Sequence, residues 1–409
     1  MGFNPVIPVG NLVEYSRGGG WGKETPFEGS SRVAIIRGAD FPSVAQGSYG
    51  GLPVRYEKDS KVNSVALRAG DIVLEKSGGT DSRPTGRTVF VTIELIDAYD
   101  CPVIPASFCR LLRFDNRANS EFVYYWLQEM YSAGRTWGYQ NRSTGLSNFQ
   151  YKVFADSELL PDLPIEVQSK IASVLSAFEK KIRENNRQNG YLAALLDAKF
   201  EKLLDNVGGW GEASLLDIAN YKNGLAMQKF RPKAGDPGLP VLKIRELGQG
   251  CCGPDSERCQ SDIDKAVAVH DGDLVFSWSG TLLLDFWAGG DAGLNQHLFK
   301  VTSAAYPSWF YYMWTKYHLR KFIAMAKDRA TTMGHIKRSA LADSKVLIPE
   351  RPILEELTES MQPIVDQVIL NKVENRKLGS LRDVLLPKLM SGEIDVSKVD
   401  LTQLNSHLA

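Results

Sequence analysis

Apolar positions are organised in two ways along this chain. From about Pro164 to Leu204 they recur in alternating steps of four and three: Ile171, Leu175, Phe178, Ile182, Leu192, Leu196 and Leu203, with Asn185, Asn189 and Lys199 in phase. From about Pro352 to Met390 the rhythm returns as Leu357, Met361, Ile364, Val368, Leu378, Leu385 and Leu389, with Asn371, Asn375 and Arg382 in phase. Each is a heptad seam, which predicts a long helix paired with another along one face. The seams superpose at one offset, down to the two asparagines in the middle. Pro164 and Pro352 suit first-turn positions, where a missing N–H costs nothing. Pro363 and Pro387 fall inside the second seam and are expected to kink it.

Elsewhere the apolar runs are short and bounded by turn residues, as buried strands are. Val33–Ile36 and Asp71–Leu74 read as strands in the first half, Val241–Ile244 and Asp273–Phe276 in the second. Phe122, Tyr125, Trp126 and Met130 share one face of a helix over Glu121–Met130, and Trp309–Tyr317 reads as its counterpart. Whole phrases repeat. Val65-Ala66-Leu67-Arg68-Ala69-Gly70-Asp71-Ile72-Val73 returns as Val267-Ala268-Val269-His270-Asp271-Gly272-Asp273-Leu274-Val275, and both run on to Ser-Gly, at Ser77-Gly78 and Ser279-Gly280. Ala155-Asp156-Ser157 returns as Ala342-Asp343-Ser344, and Leu192-x-x-Leu195-x-Asp197 as Leu378-x-x-Leu381-x-Asp383. The chain is duplicated, and each copy holds a globular unit followed by a helix.

An α+β architecture follows: two similar mixed α/β units and a pair of long helices, related by a pseudo-two-fold repeat. The expected boundaries are 1–157 for the first unit, 158–207 for its helix, 208–344 for the second unit, 345–395 for the second helix and 396–409 for a tail. The termini of a compact domain often lie close together. A helix of about 40 residues is about 60 Å long, so a parallel pair would force the second unit to return the chain by that length. The helices are therefore expected to run antiparallel. Their middles then meet, with Asn185 and Asn189 against Asn375 and Asn371, in a polar layer of the kind that fixes register.

Bulk properties narrow the class. A chain of 409 residues exceeds one core. No apolar run is long enough to span a bilayer, and the N-terminus lacks the pattern of a signal peptide. Five cysteines make no disulfide framework, so a cytoplasmic location is expected. A net charge of zero argues against coating nucleic acid by charge alone, but leaves room for local basic faces.

Catalytic signatures are missing. There is no G-x-x-x-x-G-K-[ST] phosphate loop, no Asn/Asp-Pro-Pro-aromatic tetrad, no G-x-S-x-G elbow and no H-E-x-x-H helix. Cys251, Cys252 and Cys259 lie near His270 in sequence, but the spacing is not C-x-x-C; ordinary small apolar thiols are the better reading than a zinc site, and no metal is expected. Trp126, Trp309 and Trp314 read as core. Leu195 and Leu386 lie outside the seam and read as exposed apolar residues open to a partner's helix.

Binding features are stronger. Ser77, Gly78, Gly79, Thr80, Arg83 and Arg87 belong to a Gly-rich loop after a strand, able to approach phosphates or base edges closely. Arg135, Gln140, Asn141 and Arg142 fall in a second Gly-punctuated stretch. Lys327, Arg329, Thr331 and Thr332 fall in its counterpart in the second copy. Arg pairs with guanine, and Asn or Gln with adenine, in the major groove. Ser279, Gly280, Asn295 and Gln296 complete the candidate set, although Asn295 is also suited to capping the strand after it.

These motifs, in this order and twice over, resemble the specificity subunit of type I restriction-modification systems across nearly the whole chain. The strongest segments are Leu160-Pro161-Asp162-Leu163-Pro164-Ile165-Glu166-Val167-Gln168 leading into the first helix, and Leu385-Leu386-Pro387-Lys388-Leu389-Met390-Ser391-Gly392-Glu393-Ile394. Thr331-Thr332-Met333-Gly334-His335-Ile336 resembles the family's end-of-domain motif. The first copy departs from it as Thr144-Gly145-Leu146-Ser147-Asn148-Phe149, and Pro352-Ile353-Leu354-Glu355-Glu356-Leu357 lacks the Gln of the helix-start motif. The resemblance implies two target recognition domains, each reading half of a bipartite double-stranded DNA sequence across an unspecified gap. It implies no catalysis and no cofactor in this chain. S-adenosylmethionine would belong to two modification (methyltransferase) subunits docked on the helices, and ATP and Mg to restriction subunits. Two other readings stay open at this point: a cryptic nuclease, and a coiled-coil scaffold with two lectin-like units that bind proteins or glycans.

Overall fold

A computed structural model describes residues 6–143, 146–205, 207–327, 336–400 and 402–403, with Arg142, Ser143, Leu146 and Lys327 described in their backbone only. The chain forms two units, one of residues 1–184 and 378–409 and one of residues 185–377. Both long helices therefore contribute to both units. They run without interruption over Ile165–Leu204 and Arg351–Met390. The second continues through Pro363 and Pro387.

The first unit contains a four-stranded antiparallel sheet in the order Val13–Gly18, Cys109–Phe114, Ile72–Glu75, Thr88–Phe90. A second sheet has Ser30–Ile36 at its centre, antiparallel to Val54–Lys58 and parallel to Val103–Pro105. The other unit repeats the plan. Its first sheet runs Asn220–Asn223, Leu298–Thr302, Leu274–Ser277, Leu284–Phe286. Its second places Leu239–Leu242 antiparallel to Arg258–Cys259 and parallel to Ala292–Leu294. Each unit is closed by a two-stranded ladder just before its outgoing helix: Val6–Pro8 with Leu159–Pro161, and Gly211–Ser214 with Lys345–Ile348.

The repeated Gly-Asp phrase has a local cause. Gly70 and Gly272 sit at φ 92° and 91°, where a Cβ would be strained. The following Asp71 and Asp273 accept the N–H of Arg68 and His270 at 2.7 Å each, closing the turn into the buried strand. Each aspartate also pairs with a cation on the neighbouring strand, Asp71 with Arg113 and Asp273 with Lys300, both at 2.7 Å. This signature builds the fold.

The helices pack antiparallel. In the first unit the early residues Ile171, Leu175 and Phe178 share a core with the late residues Leu378, Leu386 and Leu389. In the second unit the late residues Leu196 and Phe200 share a core with the early residues Met361 and Val365. Leu386, expected to be exposed, is buried in the core of its unit, because the helix meets a globular domain as well as its partner helix. Leu195 is exposed. Trp309 and Trp314 are fully buried and Trp126 is half-buried, as packing residues. A glutamine ties the aromatic helix to the long one in each copy. Gln168 accepts the N–H of Asn119, at the start of Ser120–Ser132, at 2.8 Å. Gln362 accepts the N–H of Trp309, near the start of Ser308–Lys327, at 3.3 Å. The glutamine missing from the second helix start is replaced two turns further on.

Candidate nucleic-acid interface

Three chain segments converge at one end of the four-stranded sheet in each unit. In the first, the N–H groups of Lys76 and Ser77 both donate to the Phe108 carbonyl, at 2.7 and 3.2 Å. Phe149 N–H donates to the Lys76 carbonyl at 2.7 Å, and Ser77 Oγ donates to Asn148 Oδ1 at 2.5 Å. In the second, Trp278 N–H donates to the His297 carbonyl at 3.4 Å and Ile336 N–H to the Trp278 carbonyl at 3.0 Å. The same three segments are joined by the same backbone bonds. Gly19 and Gly224 occupy equal places beside the corner, where any Cβ would collide with carbonyls of Pro105–Ala106 and Leu294–Asn295.

The Ser77–Arg87 loop is held from inside. Thr80 N–H donates to the Arg83 carbonyl at 2.7 Å, which tightens the tip. Buried Glu75 accepts Arg87 Nε and Nη2 at 2.8 and 2.6 Å and Arg83 Nη1 at 3.2 Å. Arg87 also reaches the Gly38 carbonyl at 2.8 Å, so its guanidinium is largely committed. Arg83 keeps an exposed edge. Gln140 Oε1 accepts the Thr85 N–H at 2.9 Å, which joins this loop to the Gln140–Ser143 strand. Asn141 faces solvent opposite Asn148 in that hairpin, and Arg142 pairs through its backbone with Ser147. A cavity of about 630 Å3 opens beside the loop, lined by Trp21, Arg37, Glu75, Ser77, Arg83 and Phe108. Its rim is aromatic and its floor charged.

Ser77, Gly78, Gly79, Thr80, Arg83, Arg87, Gln140 and Asn141 therefore belong to one surface. Arg135 does not join them. It pairs with Glu129 at 2.8 Å and Glu158 at 3.1 Å and stacks over Trp126 at 5.2 Å. In the second unit, Ser279, Gly280, Asn295 and Gln296 gather at the equivalent corner. Asn295 is buried, with Oδ1 accepting the His297 N–H at 3.3 Å, so it caps the turn before the strand. Ser277 Oγ donates to the carbonyls of Ser279 and Thr281, at 3.1 and 2.8 Å, and shapes that loop. Arg329, Thr331 and Thr332 lie outside the described residues.

Sequence reading missed Glu75 and Glu158. The signal was available, because both acids belong to one copy only. The second copy has Ser277 and Lys345 in their places, and it lacks the arginines they hold. Cys259 is buried and Cys251 exposed, and burial pushes the Cys252 thiol up to about 12, away from the thiolate that a metal would need. Among the described residues, no three His, Cys, Asp or Glu side chains are grouped to hold a metal ion. None of the described helices is long and apolar enough to cross a membrane.

Along the helix pair, Asn185 Nδ2 donates to Asn375 Oδ1 at 2.9 Å and Asn371 Nδ2 to Asn189 Oδ1 at 2.8 Å. Gln188, Asn186 and Glu374 extend the network, at 3.0, 2.8 and 2.6 Å from their partners. Asn185 and Asn371 are buried.

No family model matches the chain. Among characterised proteins, it is 25% identical over 268 residues to the Type I restriction enzyme MjaIX specificity subunit of Methanocaldococcus jannaschii, a match covering 57% of this chain and 60% of that protein. It is 26% identical over 76 residues to the Type I restriction enzyme HindI specificity subunit of Haemophilus influenzae, covering 19% of this chain and 17% of that one. The chain thus matches less than two thirds of the length of either relative. Its fold is that of the S subunit of a Type-I restriction-modification system from M. genitalium, with a TM-score of 0.56, 15% identity, and 95% and 96% of the two chains covered. The chain resembles type I specificity subunits. The likeness in fold runs over 95% of this chain.

Proposed function

We propose that the chain is the DNA-recognition subunit of a type I restriction-modification complex. Each globular unit reads one half of a bipartite double-stranded target through the loops that converge at its sheet end, and the helix pair sets the unspecified gap between the halves. The observation that carries this reading is the duplicated corner: two unequal sets of polar loops on the same backbone framework suit two different half-sites. The chain supplies specificity and no catalysis. S-adenosylmethionine acts in the modification subunits, and ATP and Mg in the restriction subunits.

Docking of two modification subunits is supported by the repeated Leu-x-x-Leu-x-Asp phrase. Its second leucine, Leu195 on one helix and Leu381 on the other, is 45% and 48% exposed. Tyr191 and Val384 add exposed apolar surface nearby, at 70% and 57%. An exposed apolar residue repeated at equal places suits one partner helix on each copy.

The test is to co-express the chain with its neighbouring methyltransferase gene and map methylated adenines by single-molecule sequencing. A two-part sequence with a fixed gap is expected. Methylation of one short continuous palindrome, or methyl transfer by the purified chain alone, would count decisively against the reading.

A further inference from the structure

A groove of about 460 Å3 adjoins the Phe108 corner in the first unit, and its charged lining is entirely cationic. Arg17 stands near the end of the strand Val13–Gly18, Lys76 follows the strand Ile72–Glu75, and Lys61 reaches in from the short helix Asp59–Val65. Ser60 and Ser107 add hydroxyls, and Gly18, whose missing Cβ would meet only open space, leaves the wall open. Lys61 is positioned by donating to the Gly18 carbonyl at 2.6 Å. Among the described residues, neither Arg17 nor Lys76 has a carboxylate partner. In a chain of zero net charge, three cations without an acid among them form a local field that attracts a polyanion.

We infer that this groove holds the phosphodiester backbone of double-stranded DNA and anchors the first unit without regard to sequence. The inference rests on the DNA-recognition reading above and adds a division of labour to it. The groove adjoins the loop corner, sharing Ser107 with the turn that carries Phe108, so a duplex whose bases meet the Ser77–Arg87 loop has its backbone within reach. The second unit is built differently. Trp278 stands where Lys76 does, with its indole N–H on Asn223 Oδ1 at 3.0 Å, and among the described residues no helix there matches Asp59–Val65. Lys222 alone keeps the place of Arg17. Among the described residues at this place, the cationic lining is therefore stronger in the first unit.

The experiment measures DNA affinity of the full chain assembled with its modification subunits, across a range of salt, for Arg17→Ala/Lys76→Ala. Both residues lie at the surface, so melting of the complex should be unchanged. Affinity for the mapped target and for unrelated DNA should fall by the same factor, and the salt slope should shrink by about two. Arg17→Lys/Lys76→Arg should restore both. Lys222→Ala should shrink the slope by about one at most. An unchanged slope in a complex that still binds its target would overturn the groove assignment and leave the recognition reading standing. So would a loss confined to the target sequence. Release of the modification subunits by the double variant would assign the groove to a protein contact instead. A wild-type complex with no affinity for DNA would sink the recognition reading itself.

Discussion

At the scale of single residues, the charged groups under the interface decide more than those on it. Asp71 and Arg113 meet through two hydrogen bonds of 2.7 Å, and the Asp71 side chain is only 2% exposed. Removing one member of such a pair leaves the other charge buried, at a cost of about 3–5 kcal/mol. Arg113→Ala should therefore unfold the first unit at markedly lower denaturant, whereas Arg32→Ala, which breaks an exposed pair with Asp100, should change stability by under about 1 kcal/mol. Equal effects of the two changes would show that the repeated Gly-Asp turn does not hold the sheet. Glu121 gives a pH dependence. Burial, with Glu179 nearby, raises its carboxyl from 4.5 to about 7. The folded state then holds the proton more tightly than the unfolded one. That contribution is complete below about pH 4.5 and is lost as pH rises through about 7. Glu121→Gln should raise the melting temperature relative to the native chain at pH 8, with the difference shrinking towards pH 5. A difference independent of pH would mean that the carboxyl titrates normally.

At the scale of elements, most of the architecture was legible in the sequence. Heptad periodicity located both long helices to within a residue or two of their ends, since a seam sustained over ten positions has few competing readings. Strands were legible because buried parallel and central strands leave continuous apolar runs, such as Val33–Ile36 within the observed Ser30–Ile36. Periodicity alone could not place Leu386, because a heptad pattern records one partner and this helix also packs into the globular core of its unit. The interface was only partly legible. Loop sequence marked Ser77–Arg87, but whether Arg87 faces ligand or Glu75 depends on a contact across twelve residues. Arg17, Lys61 and Lys76 come from three separate elements, and no motif links them. The exposed leucines, by contrast, are written into the repeat, and they carry a prediction. Leu195→Asp and Leu381→Asp should each reduce the bound modification subunits from two to one, and the double change should abolish binding, while the chain stays folded. Mass measurement of the assembled complexes reads this directly. Two subunits retained on the double variant would place docking elsewhere.

At the scale of the whole molecule, the helix pair connects fold to target. Its polar centre matters because asparagine pairing costs stability but penalises slippage, so the register is defined where a purely apolar seam would tolerate a shift. The antiparallel bonds from Asn185 to Asn375 and from Asn371 to Asn189 set that register. A pair of helices fixed in register is suited to acting as a ruler, and a ruler can be lengthened. One heptad inserted into each helix, on the same side of the asparagines, keeps every seam position in phase, so folding and methylation should survive. Seven residues at 1.5 Å each add about 10 Å. Base pairs rise about 3.4 Å each, so the unspecified gap in the target should grow by about three while both half-sites stay the same. Mapping methylated adenines made by the lengthened chain tests this. A gap that stays constant in an active variant would mean that the helices hold the complex together without measuring the DNA. Altered half-sites would mean that the insertion reached the recognition loops themselves.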